Sequence, residues 1–325
     1  MNYIENLISC MTWKKPEDLP TSSWILPAAF LKYGRELNEL CARHPKVFSE
    51  SLANFEFERD CPANYRVGQH TDEWGCVWHN AYDGCESIVT EHPIPTREAI
   101  RAYKPPERLT GFPPHGFMYL RICDLRGFEE AMMDFAEEPE ELTVLLDMVC
   151  DANVRQVEEY CKTHGDKLLC FGDDLGTQNG LAIGPEKWRR LLKPRFKRIF
   201  DAVHAAGRYV YLHTDGQIYE IIPDLFEAGA NMVNPQYRAN SLDNLVRVCK
   251  GKYPINLDLD RQAMPFMSPG QCKAHIHRAF GALRTPEGGL AIELELGPDV
   301  PLANMDALAE ALEEIQTEWK NYIQP

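Results

Sequence analysis

Several short apolar runs in the C-terminal half of the sequence end in residues able to bind a metal or move protons. Residues 168–171 lead into Gly172, Asp173 and Asp174, and residues 210–212 lead into His213, Thr214, Asp215 and Gly216. Asn234 and Gln236 follow the run at 232–233, and Asp258 and Asp260 follow the run at 255–257. Glu293 and Glu295 fall on the last run. Side chains two apart on a strand share a face, so Glu293 pairs with Glu295 and His213 with Asp215. A histidine with two or three carboxylates can hold zinc and leave one coordination position open for substrate, which makes His213, Asp215, Glu293 and Glu295 the expected metal ligands. The same set could instead run acid–base chemistry, because crowded carboxylates raise one another's pKa.

A second cluster, Asp72-Glu-Trp-Gly-Cys-Val-Trp78, sets Asp72 and Glu73 beside the indoles of Trp74 and Trp78. Either it lines the site, or it is a tryptophan-anchored loop whose carboxylates accept indole N–H bonds.

The elements that must position these groups are legible from about residue 166 onward. Short apolar runs (167–171, 209–213, 231–234, 255–259 and 290–294) alternate with longer amphipathic stretches (185–206, 218–228, 242–250, 269–283 and a last one from Asn304). Repeated strand–helix units of this length predict a parallel sheet. Helix punctuation agrees, with Pro185 after Gly184 at one start and Gly207 and Gly229 at two ends. No GxGxxG or GxxxxGK[ST] segment opens a helix, which favours a closed barrel over a nucleotide-binding open sheet. The expected fold is therefore α/β, a single (β/α)8 barrel over residues 1–325 with 1–60 as a helical and loop entry segment. Reacting groups of such barrels gather at the C-terminal strand ends, where the polar residues above fall. Prolines 93, 95, 105, 106, 113 and 114 break the N-terminal half into short pieces, and the first three strands are not placed there.

Composition sets the outer bounds. Of 325 residues, 44% are hydrophobic and 26% charged, as in ordinary globular chains. A formal charge of −15, with basic residues concentrated only along 187–197, speaks against nucleic acid as a partner. The sequence shows neither a signal-peptide pattern nor a long apolar span, so neither secretion nor membrane insertion is expected. Eleven cysteines without a CxxC pair fit reduced thiols, mostly acting as small buried hydrophobes, in a cytoplasmic protein.

Asp72-Glu-Trp-Gly-Cys-Val-Trp78, Arg126-Gly-Phe-Glu129 with Met132-Met-Asp134, Gly172-Asp-Asp-Leu-Gly-Thr-Gln178, His213-Thr-Asp-Gly216 and Gly297-Pro-Asp-Val-Pro301 together resemble the uroporphyrinogen decarboxylase superfamily. The resemblance spans most of the chain and implies a single (β/α)8 barrel. It leaves two activities open. The tetrapyrrole decarboxylases of that superfamily clamp their acidic substrate with the arginines of an Arg-Gln-Ala-Gly-Arg-Tyr segment. The nearest stretch here, Phe30-Leu-Lys-Tyr-Gly-Arg-Glu36, puts Leu31 and Lys32 where the guanidinium fork belongs.

The other branch moves methyl groups between small methylated compounds, corrinoid proteins and thiols, often with zinc held by His-x-Cys and a later cysteine. Here Asp215 stands at the first cysteine position and Glu293 and Glu295 occupy the later region. An oxygen-rich site suits Lewis-acid activation of a methoxyl oxygen better than activation of a thiol.

The resulting expectation is a metal-assisted methyltransferase of the O-demethylase type. Asp72, Asp173, Asp174 and His213 are its catalytic residues, with Glu73, Trp74, Asn234, Gln236, Asp258 and Asp260 binding substrate. Zinc is the expected metal. The expected partners are a small-molecule substrate, a separate protein carrying the corrinoid and a second copy of the chain in a homodimer. The alternative is a tetrapyrrole decarboxylase with an altered arginine clamp.

Overall fold

The computed structural model describes residues 2–323. In chain order its strands are β1 (Thr21–Ile25), β2 (Gly68–Thr71), β3 (Val77–Asn80), β4 (Ile88–Glu91), β5 (Leu168–Gly172), β6 (Gly176–Thr177), β7 (Gly180–Leu181), β8 (Tyr209–Thr214), β9 (Met232–Pro235), β10 (Ile255–Asp258) and β11 (Leu290–Leu296). The chain divides into two compact units. The first comprises Met1–Gly68, Asn80–Ser87 and Gln236–Pro325, and the second Gln69–His79 and Ile88–Pro235.

In the first unit β11 lies between β1 and β10, parallel to both, with Ser22 and Asp258 each opposite Glu293 and Trp24 opposite Glu295. Leu290, Ala291, Ile292, Leu294 and Leu296 are all buried, so apolar residues cover both faces of β11 except where the glutamates stand. Such near-continuous burial is what a parallel strand covered on both faces requires. The helix Pro269–Leu283 packs on the last helix, Leu302–Ile323. It opens with a capping box in which the Ser268 hydroxyl and the Gln271 amide serve each other's backbone.

In the second unit β8 lies between β5 and β9, again parallel, with Gly172 opposite His213 and His213 opposite Asn234. The helical stretch expected over 185–206 carries a five-residue π turn, Trp188–Leu192, before the helix Lys193–Ala205. Pro194 explains the interruption: it has no N–H to donate to the preceding turn.

The N-terminal half departs most from regular alternation. β3 and β4 form an antiparallel pair, with Trp78 opposite Val89. Residues 113–118 run beside β5 without becoming a strand. Gly116 N–H donates to the Gly172 carbonyl at 2.8 Å, but Pro113 and Pro114 have no N–H to extend the ladder.

All eleven cysteines are free, eight of them buried, in line with their reading as small hydrophobes. Burial pushes the Cys10 thiol up to about 12, so it stays protonated. Among the described residues no helix is long and apolar enough to cross a membrane.

Candidate metal centre

The ends of β5 and β8 are held together by two glycines. A Cβ on Gly216 would lie 2.2 Å from the Gly176 carbonyl carbon, and one on Gly176 would lie 2.5 Å from Gln217 N. Side chains at either position would force the loops apart. The close approach lets Gly176 N–H donate to the Asp215 carbonyl at 3.1 Å and Gln217 N–H to the Thr177 carbonyl at 2.7 Å. The Gly-Asp-Asp-Leu-Gly and His-Thr-Asp-Gly segments thus form one rigid platform.

On this platform stand His213 and Asp174, joined by His115 from the proline-flanked segment. Among the described residues, one group of potential metal ligands assembles: His115, Asp174 and His213, with ligand atoms all within 4.8 Å of one another. His115 Nε2 lies 3.1 Å and His213 Nε2 3.9 Å from Asp174 Oδ1. The His115 ring occupies the space a side chain on residue 172 would fill, since a Cβ on Gly172 would lie 2.2 Å from its Cδ2.

His213 and Asp174 are each aimed by a further contact. His213 Nδ1 bonds the Asn234 side-chain oxygen at 2.5 Å, which turns Nε2 toward the carboxylates. Asp215 N–H donates to Asp174 Oδ1 at 3.2 Å, and Asp215 Oδ1 lies 3.4 Å from His213 Nε2.

Burial disfavours charge on His213, but the hydrogen bond and charge of Asp215, with Asn234 and Asp174, outweigh it and push the imidazole up to about 10. Burial likewise opposes the charge of Asp174, yet His115 and His213 hold its carboxyl below the usual range. The centre therefore stabilises positive charge. Two imidazoles and a carboxylate converging with an open side are a donor set that zinc or a similar first-row divalent ion accepts.

Asp173, beside these ligands, faces away from solvent. Its carboxylate is fully buried and accepts from Tyr119 N–H at 2.5 Å and Leu120 N–H at 2.8 Å. Burial pushes its carboxyl up to about 7, against the pull of those two amides.

Asp72 binds within its own loop. Its Oδ1 accepts from Trp74 and Cys76 N–H, and its Oδ2 from the Trp78 indole at 3.0 Å and Arg121 at 2.7 Å. The tryptophan-anchored loop is what these bonds describe. Glu73 accepts from the Thr110 backbone and hydroxyl, and Trp74 is buried under the Arg121 guanidinium. Asp124 lies 3.8 Å from Arg121; burial and the Asp72 carboxylate raise its carboxyl to about 6 in spite of that guanidinium.

The remaining expected residues lie in the first unit. Glu293 Oε2 accepts from Ser22 Oγ at 3.1 Å and Asn256 Nδ2 at 2.7 Å, and Glu295 pairs with Arg261. Asp258 and Gln236 are buried and bridge strand to strand, while Asp260 accepts from Arg238 at 2.8 Å and from Ala263 N–H.

The sequence reading missed His115, Arg121 and Asp124. For His115 a signal existed: the glycine of Gly-Asp-Asp leaves a vacancy at a strand end, and Pro-Pro-His-Gly offers an imidazole on stiff backbone.

The sequence pattern described as uroporphyrinogen decarboxylase (URO-D) matches residues 119–315. No curated protein matches the chain. Among solved structures, a methyltransferase from Methanosarcina mazei superimposes with a TM-score of 0.67 at 18% identity, covering 97% of this chain and 99% of that one. Dihydropteroate synthase from Xanthomonas albilineans, solved with 4-aminobenzoic acid, gives a TM-score of 0.34 at 20% identity, covering 50% of this chain and 59% of that one. The full-length likeness to the first establishes a shared fold, the (β/α)8 class expected from the strand–helix alternation.

Proposed function

The chain belongs to the uroporphyrinogen decarboxylase family, and on that premise we propose that it is a metal-assisted methyltransferase acting on a small methylated compound, a methoxylated one above all. The methyl acceptor in this reading is a corrinoid carried by a separate protein. The observation that carries the proposal is the convergence of His115, Asp174 and His213 within 4.8 Å. The full-length likeness to a structure named as a methyltransferase supports it.

His115, Asp174 and His213 would hold zinc, which bound there supplies a Lewis acid for an ether oxygen. The chain's own residues do the positioning. Asn234 fixes the His213 ring through Nδ1, so that Nε2 faces the ligand cluster. The Asp215 amide orients Asp174, and the Asp215 carboxylate balances positive charge beside His213. When the methyl group leaves, the substrate oxygen keeps the bonding electron pair, and a centre built to favour positive charge stabilises it.

The stretch 30–36 supports this reading over tetrapyrrole decarboxylation. Lys32 Nζ donates to the Pro298 carbonyl at 2.7 Å, and the Arg35 side chain, 91% exposed, pairs with Glu39 along its own helix. An ammonium such as that of Lys32 cannot form the bidentate fork that suits a polycarboxylate, and the Arg35 guanidinium is shared with Glu39.

The test is elemental analysis of protein purified without chelators, together with demethylation of a methoxyaromatic by cob(I)alamin. Wild type should carry near-stoichiometric zinc, and His115→Ala and His213→Ala should each lose it by at least about tenfold together with turnover. Folded, metal-free wild type, or turnover of uroporphyrinogen, would overturn the proposal.

A further inference from the structure

We propose that Asp173 is a positioning residue that fixes His115, Asp174 and His213 relative to one another and so sets the affinity of the centre for a divalent cation. The inference rests on the reading of that centre as a metal site. The helix Tyr119–Arg126 has Met118 at its N-cap and no side-chain cap of its own. Its first N–H groups would otherwise be orphans, and the Asp173 carboxylate, arriving from the end of β5, takes two of them.

Asp173 is joined to all three ligands by short covalent or hydrogen-bonded paths. Asp174 is its chain neighbour. The Asp173 N–H donates to the carbonyl of His213 itself at 3.1 Å. His115 immediately precedes a segment, 116–119, that is clamped at one end by Gly116 N–H on the Gly172 carbonyl of β5 and at the other by Tyr119 N–H on the Asp173 carboxylate.

A carboxylate with 0% exposure is costly to bury, and an asparagine would cost less. Asparagine, however, has one acceptor oxygen, and its NH2 would face one of the two amide donors. The aspartate is what both bonds need at once, and both bonds hold the segment that delivers His115.

The decisive measurement is chelator-competition titration of zinc and of Co(II), the latter followed by its visible spectrum, on wild type, Asp173→Asn, Asp173→Ala and Asp134→Asn. Asp134 is a control on the next helix, where it is fully buried against Arg126 at 2.8 Å, so its loss destabilises the same region without touching the segment carrying His115.

Asp173→Ala should weaken metal binding about 10–100-fold and alter the Co(II) spectrum, with Asp173→Asn intermediate and Asp134→Asn bound as tightly as wild type. If Asp173→Ala does not fold, Asp173→Asn decides. Wild type that binds no metal removes the site reading, and this proposal with it. Wild type that binds while the Asp173 variants bind equally well, or affinity that falls in Asp134→Asn as much as in Asp173→Asn, overturns the positioning role alone.

Discussion

The strand ends of the two units carry the same kinds of residue and use them differently. At the ends of β5 and β8, carboxylates meet imidazoles: Asp174 faces His115 and His213, and Asp215 faces His213. Toward the end of β11, carboxylates meet hydroxyl, amide and guanidinium donors: Glu293 has Ser22 and Asn256, and Glu295 has Arg261. An imidazole can exchange a proton for a metal, whereas a carboxylate already satisfied by fixed donors gains less from a cation. The type of residue at a strand end therefore does not assign its role; its partners do.

The largest effect is expected from Gly172→Ala. The new methyl would fall 2.2 Å from the His115 ring and expel it. Metal retention should drop about tenfold or more, and overpacking should cost about 1–3 kcal/mol of stability. Metal titration and thermal denaturation read the two effects separately, and unchanged metal binding would remove His115 from the ligand set.

Asp124 sharpens the contrast, because in the second unit its carboxyl is raised to about 6 by burial and by Asp72, against the pull of Arg121. A folded-state pKa above the unfolded one means that its contribution to stability is complete below about pH 4 and is lost as pH rises through about 6. Asp124→Asn should flatten that fall, by at most about 3 kcal/mol between pH 4 and pH 7, as read by denaturant titration at several pH values. An equally steep fall in the variant would assign the pH dependence elsewhere.

The smallest effect is expected from Glu293→Gln and Glu295→Gln. Metal content should stay at the wild-type level, with about 1 kcal/mol lost from altered hydrogen bonds. If either variant strips the metal, the glutamates join His115, Asp174 and His213 as ligands, and the distinction between the two sets of strand ends collapses.

Much of the scaffold was legible because period-2 and period-3.6 patterns are local: the strands at 168–172, 209–214, 232–235, 255–258 and 290–296 fall where apolar runs predict them. Before residue 166 that signal fails for a physical reason. Pro113 and Pro114 hold a barrel-side segment that cannot hydrogen-bond like a strand, and β3 spends its bonds on a hairpin. At the site, His213, Asp174 and Asp215 stood out because each follows an apolar run. Asp72 and Asp173 stood out equally, and their roles could not be separated from those of the others by type.

The sequence alone determined the strand–helix alternation, the shortage of basic partners for a polyanion, and which strand ends carry ionisable groups, since composition and short periodicities fix all three. Tertiary structure decided that His115 completes the cluster, that Asp173 turns inward to hold a helix terminus, and that Asp72 closes its own loop. The first two outcomes depend on approaches across 53 to 59 residues of sequence separation, His115 against Asp174 and Asp173 against Tyr119 and Leu120, whereas the Asp72 loop closes over two to six residues. No local pattern encodes which of two adjacent aspartates finds an imidazole and which finds two backbone amides.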